Sequence, residues 1–243
     1  MGLLDDVVAQ LRRRGATFAD ARHVRDERET LAVRDGRVER HFAATSRGFG
    51  VRVLVDGAWG FGARAGERDD AAALAAAADA ALATARAAAS LGGARVVLAE
   101  EEPQRGRFAT PVARDFFAVP LAEKLALVTA ASDGLRAAAG ARARSASAHV
   151  GARRQDKQLA TSDGTHVEQL LVHAGAGMKI VVGEGDEVAH RSYPMELDGG
   201  VAAGGWEVVE GFDLVGNAAR VADEAVALLS APRRASPTKR SRS

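Results

Sequence analysis

The sequence predicts an α+β fold in two layers, in which an antiparallel sheet built from hairpins carries packed helices. Two observations indicate this class. Apolar residues alternate around Asp-Gly dipeptides, and the strands cluster between helices instead of alternating singly with them. The 243 residues are 47% hydrophobic and 27% charged and include no cysteine. A chain of this length can bury a sizeable core without disulfide bonds.

The first part of the chain is predicted to form a helix, two hairpins and a second helix. Residues 3–14 carry one apolar stripe. Apolar positions then alternate on both sides of Asp35-Gly36 and of Asp56-Gly57, which are typical hairpin turns. An alanine-rich helix follows Asp69-Asp70 and ends at Gly92-Gly93. Its small residues predict close packing on the sheet.

The second hairpin supplies two of the few aromatic residues. We expect Trp59 and Phe61 to pack against the alanine-rich helix at Leu74 and Leu82. The same helix is not predicted to span a membrane, because alanine contributes little transfer free energy and the helix carries two charged residues.

A connecting region then separates two groups of elements. Residues 96–98 are predicted to form a short strand and residues 100–111 a surface connection, with a candidate subdomain boundary near 92–112. The folded domain is predicted to cover residues 1–231. Residues 232–243 contain mostly Arg, Lys, Ser and Pro, and this basic tail is predicted to be disordered.

The remaining elements are a helix, a second set of strands and a last helix. The helix begins at Pro120 and ends near Gly140. Strands occupy residues 141–195, with a turn at Ser162-Asp163-Gly164, and Asp213 is predicted to cap the final helix.

Composition and motifs argue against several functions. Lys and Arg number 33 against 32 Asp and Glu, so the net charge is +1, and aromatic residues make up only 5%. Neither value favours a nucleic-acid or membrane partner. The sequence has no Gly-x-Ser-x-Gly elbow and no Walker-type phosphate loop. Its N-terminus lacks the order of a signal peptide, and we expect a cytoplasmic protein.

The six histidines do not form a metal-binding pattern. No two of them stand at the i, i+4 spacing that places paired imidazoles on one helix face. His166 and His173 are seven positions apart in strand-like sequence, which predicts opposite faces of a sheet. The sequence therefore identifies no catalytic, cofactor-binding or metal-ligating residue.

Residues 48–61, GFGVRVLVDGAWGF, resemble the signature of the TldD/PmbA family, the "modulator of DNA gyrase" proteins. Weaker family-like features occur in the same order along almost the whole chain: Ala19-Asp20-Ala21-Arg22, the Asp35-Gly36 hairpin, Asp115, Glu123-Lys124, Ser162-Asp163-Gly164, Gly204-Gly205-Trp206-Glu207 and the alanine-rich last helix.

The resemblance implies a zinc metallopeptidase lineage active in proteolysis and peptide maturation. Family members carry zinc on a His-Glu-x-x-x-His helix, whereas this sequence contains no His-Glu dipeptide. The resemblance therefore implies an N-terminal domain that shapes a substrate cleft and assembles with a partner, without the C-terminal metallopeptidase half and inactive alone. The expected cofactor in this chain is none, because zinc belongs to that other half or to a partner.

The partner implied by the resemblance is a TldD/TldE-type protein or a second copy of the chain, with a peptide as substrate. The alternative hypothesis is a non-enzymatic nucleic-acid or DNA-gyrase-associated modulator. The balanced charge and the few aromatic residues disfavour nucleic-acid binding.

Overall fold

Eight strands form one sheet in the computed structural model, which describes residues 2–195 and 199–231. The predicted α+β class, with helices packed on a largely antiparallel sheet, is confirmed. In chain order the elements are α1 Leu3–Arg13, β1 Phe18–Arg34, β2 Arg37–Val55, β3 Ala58–Ala65, α2 Ala71–Ser90, β4 Arg105–Ala109, α3 Leu121–Ala139, β5 Ala143–Thr161, β6 His166–Glu184, β7 Glu187–Tyr193, β8 Gly200–Ala203, α4 Trp206–Gly211 and α5 Leu214–Leu229.

The sheet runs in the order β3-β2-β1-β5-β6-β4, and β7 and β8 also pair with β6. All pairs are antiparallel except β4 with β6. The outer side of β6 is paired in turn by β4, β8 and β7. On β2, in contrast, β3 begins to pair only at Gly48, and within the described ranges no strand pairs with the outer side of residues 37–46.

Both predicted Asp-Gly hairpins are confirmed. Asp35 and Gly36 have φ values of 51° and 74°, and Asp56 and Gly57 have 50° and 80°. Positive φ at both central residues matches the twist of the flanking strands, which makes Asp-Gly a favoured pair at this position.

All the helices with a buried stripe lie on one face of the sheet, where they form two cores. One core joins α1 and α2 to β1, β2 and Ala160 of β5, and the other joins α3, α4 and α5 to β5 and β6. Strand β1 contributes to both, because Ala19 and Ala21 belong to the first core and Leu31 and Val33 to the second. Its length of 17 residues is what allows this.

Helix α2 packs directly on glycines of β3, which corrects the prediction for Trp59 and Phe61. A Cβ atom on Gly60 would lie 2.0 Å from the Ala81 carbonyl oxygen, and one on Gly62 would be similarly crowded. Since side chains alternate along a strand, Trp59 and Phe61 lie on the opposite face. The close helix–sheet packing predicted from the small residues of α2 is present, and Ala77, Ala81 and Ala85 of the helix lie directly against Gly60 and Gly62 of β3.

By length and composition alone, α2 is a helix that could cross a membrane. In the structure one of its faces, which includes Leu74 and Leu82, belongs to the first core. Asp79 on the same helix forms an ion pair of 2.6 Å with Arg14 of the neighbouring segment.

The connecting region differs from its prediction. Residues 96–98 form no strand, and a strand appears instead at β4, inside the stretch predicted as a surface connection. The reason is tertiary, because β4 runs parallel to β6 and covers part of its edge. The short helix α4 was also not predicted. The last helix is confirmed, and the Asp213 carboxylate accepts a hydrogen bond of 3.1 Å from the Gly216 amide.

The predicted boundary near residues 92–112 stays a prediction. The predicted tail at residues 232–243 lies outside the described residues.

We expect Gly60→Ala to destabilise the protein by about 1–3 kcal/mol, because the added methyl group overlaps the backbone of α2. Gly106→Ala in β4 is the matched control, since a Cβ there meets nothing within 4 Å. Denaturant unfolding followed by circular dichroism measures both variants. Equal unfolding midpoints for the two would contradict the packing described for α2.

Candidate functional site

The face of the sheet opposite the helices, called here the open face, carries buried carboxylates. Asp20 is 1% exposed and Asp26 is 9% exposed, although both point away from the two cores. A carboxylate can be withdrawn from water at acceptable free-energy cost only when charged or polar partners satisfy it. Arginine side chains supply those partners here.

Two arginines enclose Asp20. The Arg52 Nε donates to one carboxylate oxygen at 2.6 Å, and a terminal nitrogen of Arg22 donates to the other at 3.0 Å. Arg52 also lies 5.4 Å from the ring centre of Trp59, which stacks edge-on with Phe18 at 5.9 Å. The aromatic pair therefore supports the arginine on the open face.

Asp26 is held by three side chains from two strands. Arg28 Nε donates at 2.8 Å, Arg153 Nε at 2.9 Å and the Gln155 amide at 2.7 Å. The Arg28 hydrogen bond lowers the pKa of Asp26, and the bonds from Arg153 and Gln155 add to it against the opposing effect of burial, so the pKa lies well below its ordinary value. Asp26 is therefore a fixed anion at neutral pH and does not act as a general acid.

A groove of about 580 Å³ opens beside Asp26. We call it the arginine groove. It is lined by four arginines, by Gly48 and Gly50, and by the side of Phe61, and Asp26 is the one carboxylate among its lining residues. The arginines are Arg22, Arg47, Arg52 and Arg153. Such a lining favours an anionic ligand.

Gly50 determines how much room the groove has. A Cβ at this position would lie 3.5 Å from the Phe61 ring and 3.6 Å from the Arg22 side chain. Any larger side chain would therefore occupy the space between the aromatic ring and the aliphatic part of the Arg22 side chain.

The histidines do not converge on one site. His173 and His149 line a neighbouring cavity on the open face, whereas His166 lies on the helix face with its Nδ1 3.1 Å from Asp5. The predicted placement of His166 and His173 on opposite faces is confirmed.

The residues around His166 do not fit a zinc ion. Arg68 and Arg105 line the same cavity and would repel a cation. Across residues 2–195 and 199–231, no three His, Asp or Glu side chains group as metal ligands. We therefore derive no catalytic step through a metal in this part of the chain.

Residues of the Gly204-Gly205-Trp206-Glu207 feature lie together at the start of α4, beside the second core. The Glu207 carboxylate accepts hydrogen bonds from the amides of Gly205 at 2.8 Å and Arg114 at 3.0 Å. Burial raises the pKa of Glu207, but these backbone donors outweigh it and lower the pKa to about 2. Trp206 is buried against Phe116, with ring centres 5.5 Å apart. This arrangement anchors α4 and is structural.

Lys124 is a second structural charge. It is 2% exposed, donates to Glu29 at 2.7 Å and lies 4.3 Å from the ring centre of Phe116. Its partners satisfy it within the fold.

No site residue was predicted from the sequence, and the arginine groove was not predicted. A signal was present, because Asp20, Arg22, Asp26 and Arg28 all occupy even positions of β1, while the core residues occupy odd ones. What the sequence alone does not give is that Arg52 and Arg153 come from the two neighbouring strands.

We expect Asp26→Asn to destabilise the protein by about 1–3 kcal/mol at neutral pH, because it removes the buried anion to which Arg28 and Arg153 donate and leaves two neighbouring positive charges unpaired. The folded-state pKa of Asp26 lies below its ordinary value, so its contribution is present above about pH 4 and is lost as the pH falls through the folded pKa. The difference from the unmodified chain should therefore shrink on acidification.

Unfolding curves at several pH values measure this difference. Asp186→Asn, in an exposed turn, is the control and should have little effect at any pH. A stability difference for Asp26→Asn that is constant from neutral to strongly acidic pH would contradict the assignment.

Two family models match the sequence. One is described as PmbA/TldA metallopeptidase domain 1 and matches residues 19–85, and the other as PmbA/TldA metallopeptidase central domain and matches residues 114–230. A comparison with curated proteins found no match.

Solved structures share the fold at low sequence identity. A candidate modulator of a DNA gyrase from Thermotoga maritima matches with a TM-score of 0.66 and 13% identity over 93% of this chain and 47% of its own. A candidate modulator of DNA gyrase from Bacteroides thetaiotaomicron matches with a TM-score of 0.69 and 14% identity, over 92% of this chain and 48% of its own. TldE from Thermococcus kodakarensis matches with a TM-score of 0.59 and 13% identity, over 93% of this chain and 47% of its own. The chain thus spans about half the length of these proteins.

Proposed function

Because the chain belongs to the PmbA/TldD metallopeptidase family, we propose that it forms the substrate-cleft and assembly part of a zinc metallopeptidase. The observation that carries this proposal is the pairing of two family-domain matches with a described structure in which no metal-ligand group forms. In this proposal the zinc ligands and the hydrolytic step come from the family's metallopeptidase half or from a partner protein.

The uncovered edge of β2 supports a role in binding an extended chain. Residues 37–46 present a row of backbone N–H and C=O groups that β1 pairs on one side only. Such an edge accepts an added strand from a peptide or a partner. We propose that the partner is a TldD/TldE-type protein or a second copy of this chain.

We expect the purified chain to hold no stoichiometric zinc and to cleave no peptide until a full-length family metallopeptidase is added. Metal analysis after dialysis against a mild chelator measures the zinc content of the chain. Size-exclusion chromatography of the chain mixed with the family metallopeptidase measures complex formation. Light scattering on the chain alone detects a homodimer.

His166→Ala and His173→Ala provide the contrary test. About one zinc per chain, lost together with peptidase activity in either variant, would overturn the proposal. Failure to form any complex with a family partner or with itself would overturn its assembly part.

A second candidate function is a non-enzymatic modulator that binds nucleic acid or a gyrase-associated partner, and the single observation on its side is the set of arginines that line the groove. Binding to DNA at physiological salt, with an affinity that falls steeply as salt is raised, would favour this second candidate.

A further inference from the structure

We propose that the arginine groove binds an acidic segment of an extended peptide. This inference deepens the proposed function by naming the ligand's chemical class, and it assigns the ligand to the open face instead of the edge of β2. It rests on the charges of the groove, on its spacing and on the space above Gly50.

The groove has more positive than negative charge. Arg22 and Arg52 share Asp20, and Arg153 shares Asp26 with Arg28, which lies just outside the groove lining, so each aspartate faces two guanidinium groups. The fourth lining arginine, Arg47, is paired with Glu67. A guanidinium group has five N–H donors, and the bonds to the aspartates use only some of them. The excess charge and donors suit carboxylates brought by a ligand.

The aspartates fix the arginines in place before a ligand arrives. Arg22, Arg52 and Arg153 are each roughly half exposed at the side chain, with values of 44%, 50% and 44%. Arginines held by buried anions lose less side-chain entropy on binding than free surface arginines. The arginines of this network are therefore held in place in advance and remain accessible to a ligand from solvent.

The spacing of the groove fits an extended chain. Arg153 binds Asp26, which is four residues from Arg22 on β1. At the rise of a β-strand this places the two arginine positions about 13 Å apart along the groove. An extended peptide with acidic residues at alternate positions places carboxylates on one face about 7 Å apart, so its first and third acidic side chains span the same distance.

The apolar part of the lining favours a peptide over nucleic acid. Single-stranded nucleic acids bind on several aromatic rings that stack successive bases. The lining residues of the arginine groove include one exposed aromatic ring, Phe61, which is 60% exposed and stands beside Gly50. One ring next to a side-chain-free position suits a single apolar residue flanking the acidic ones.

The test is a binding titration with the whole chain, measured by fluorescence anisotropy. The probe is a labelled peptide of about ten residues with Glu at alternate positions, and its counterpart carries Gln at those positions. An unlabelled single-stranded oligonucleotide of about ten nucleotides is the competitor. We expect the Glu peptide to bind, the Gln peptide to bind at least about tenfold more weakly, and raised salt to weaken the binding.

Two variants locate the binding. Arg153→Gln should weaken it about three- to tenfold by removing a charged donor. Gly50→Leu should weaken it at least as much by filling the groove without changing any charge. Arg13→Gln on α1 removes the same charge from an exposed position on the helix face and should leave affinity unchanged. Circular dichroism confirms that each variant is folded.

Equal affinity for the Glu and Gln peptides would overturn the proposal, and so would full affinity in the folded Gly50→Leu variant. Tighter binding of the oligonucleotide, lost in the same two variants, would overturn it in favour of a nucleic-acid site. Because the titration needs neither zinc nor a partner protein, its failure is distinct from a failure of the assembly or metal experiments.

Discussion

The pairing of β1 with β5 is the interaction on which the rest of the structure depends. It joins the segments matched by the two family models into one sheet, over Asp20–Arg34 on one strand and Ser147–Thr161 on the other. Because side chains alternate along both strands, the same pairing brings Leu31 and Val33 into the second core and places Arg153 and Gln155 beside Asp26 on the open face. A slip of one residue would reverse both arrangements.

The sequence was sufficient to predict features that depend on local chemistry. The Asp-Gly turns, the cap at Asp213 and the stripes of the long helices are encoded within a few residues of each other, and the structure has them. Features that depend on distant partners were not predictable. Strand β4 exists because β6 offers an edge, and the face taken by Trp59 depends on which side of β3 the helix α2 occupies. Gly60 and Gly62 were the signal in the sequence for the face of β3 that α2 covers. Aromatic residues cannot pack where a helix backbone approaches that closely, so Trp59 and Phe61 had to lie on the other face.

A polar open face is ordinary for an antiparallel sheet with helices on one side. What exceeds this expectation is the burial of two carboxylates there, because a solvated face needs no buried anions. Removing Asp20 and Asp26 from water has a free-energy cost that the arginines offset only in part. A network of this kind adds little net stability. Its distinguishing property is the fixed orientation of the four half-exposed guanidinium groups that bind the two aspartates, those of Arg22, Arg28, Arg52 and Arg153. Fixed orientation matters for binding more than for folding.

The two halves of the sheet differ in which strands form their edges. The outer side of β6 is paired by three short strands, and among the described residues these strands form the edge on the side of the central family domain. The side of the first family domain keeps its edge at residues 37–46 of β2, and three of the four groove arginines also come from β1 and β2. Exposed strand edges favour unwanted pairing unless something covers them or they are used. The groove proposed above combines side chains from both matched segments: Arg22, Arg47 and Arg52 come from the first, and Arg153 comes from the second at the seam between them.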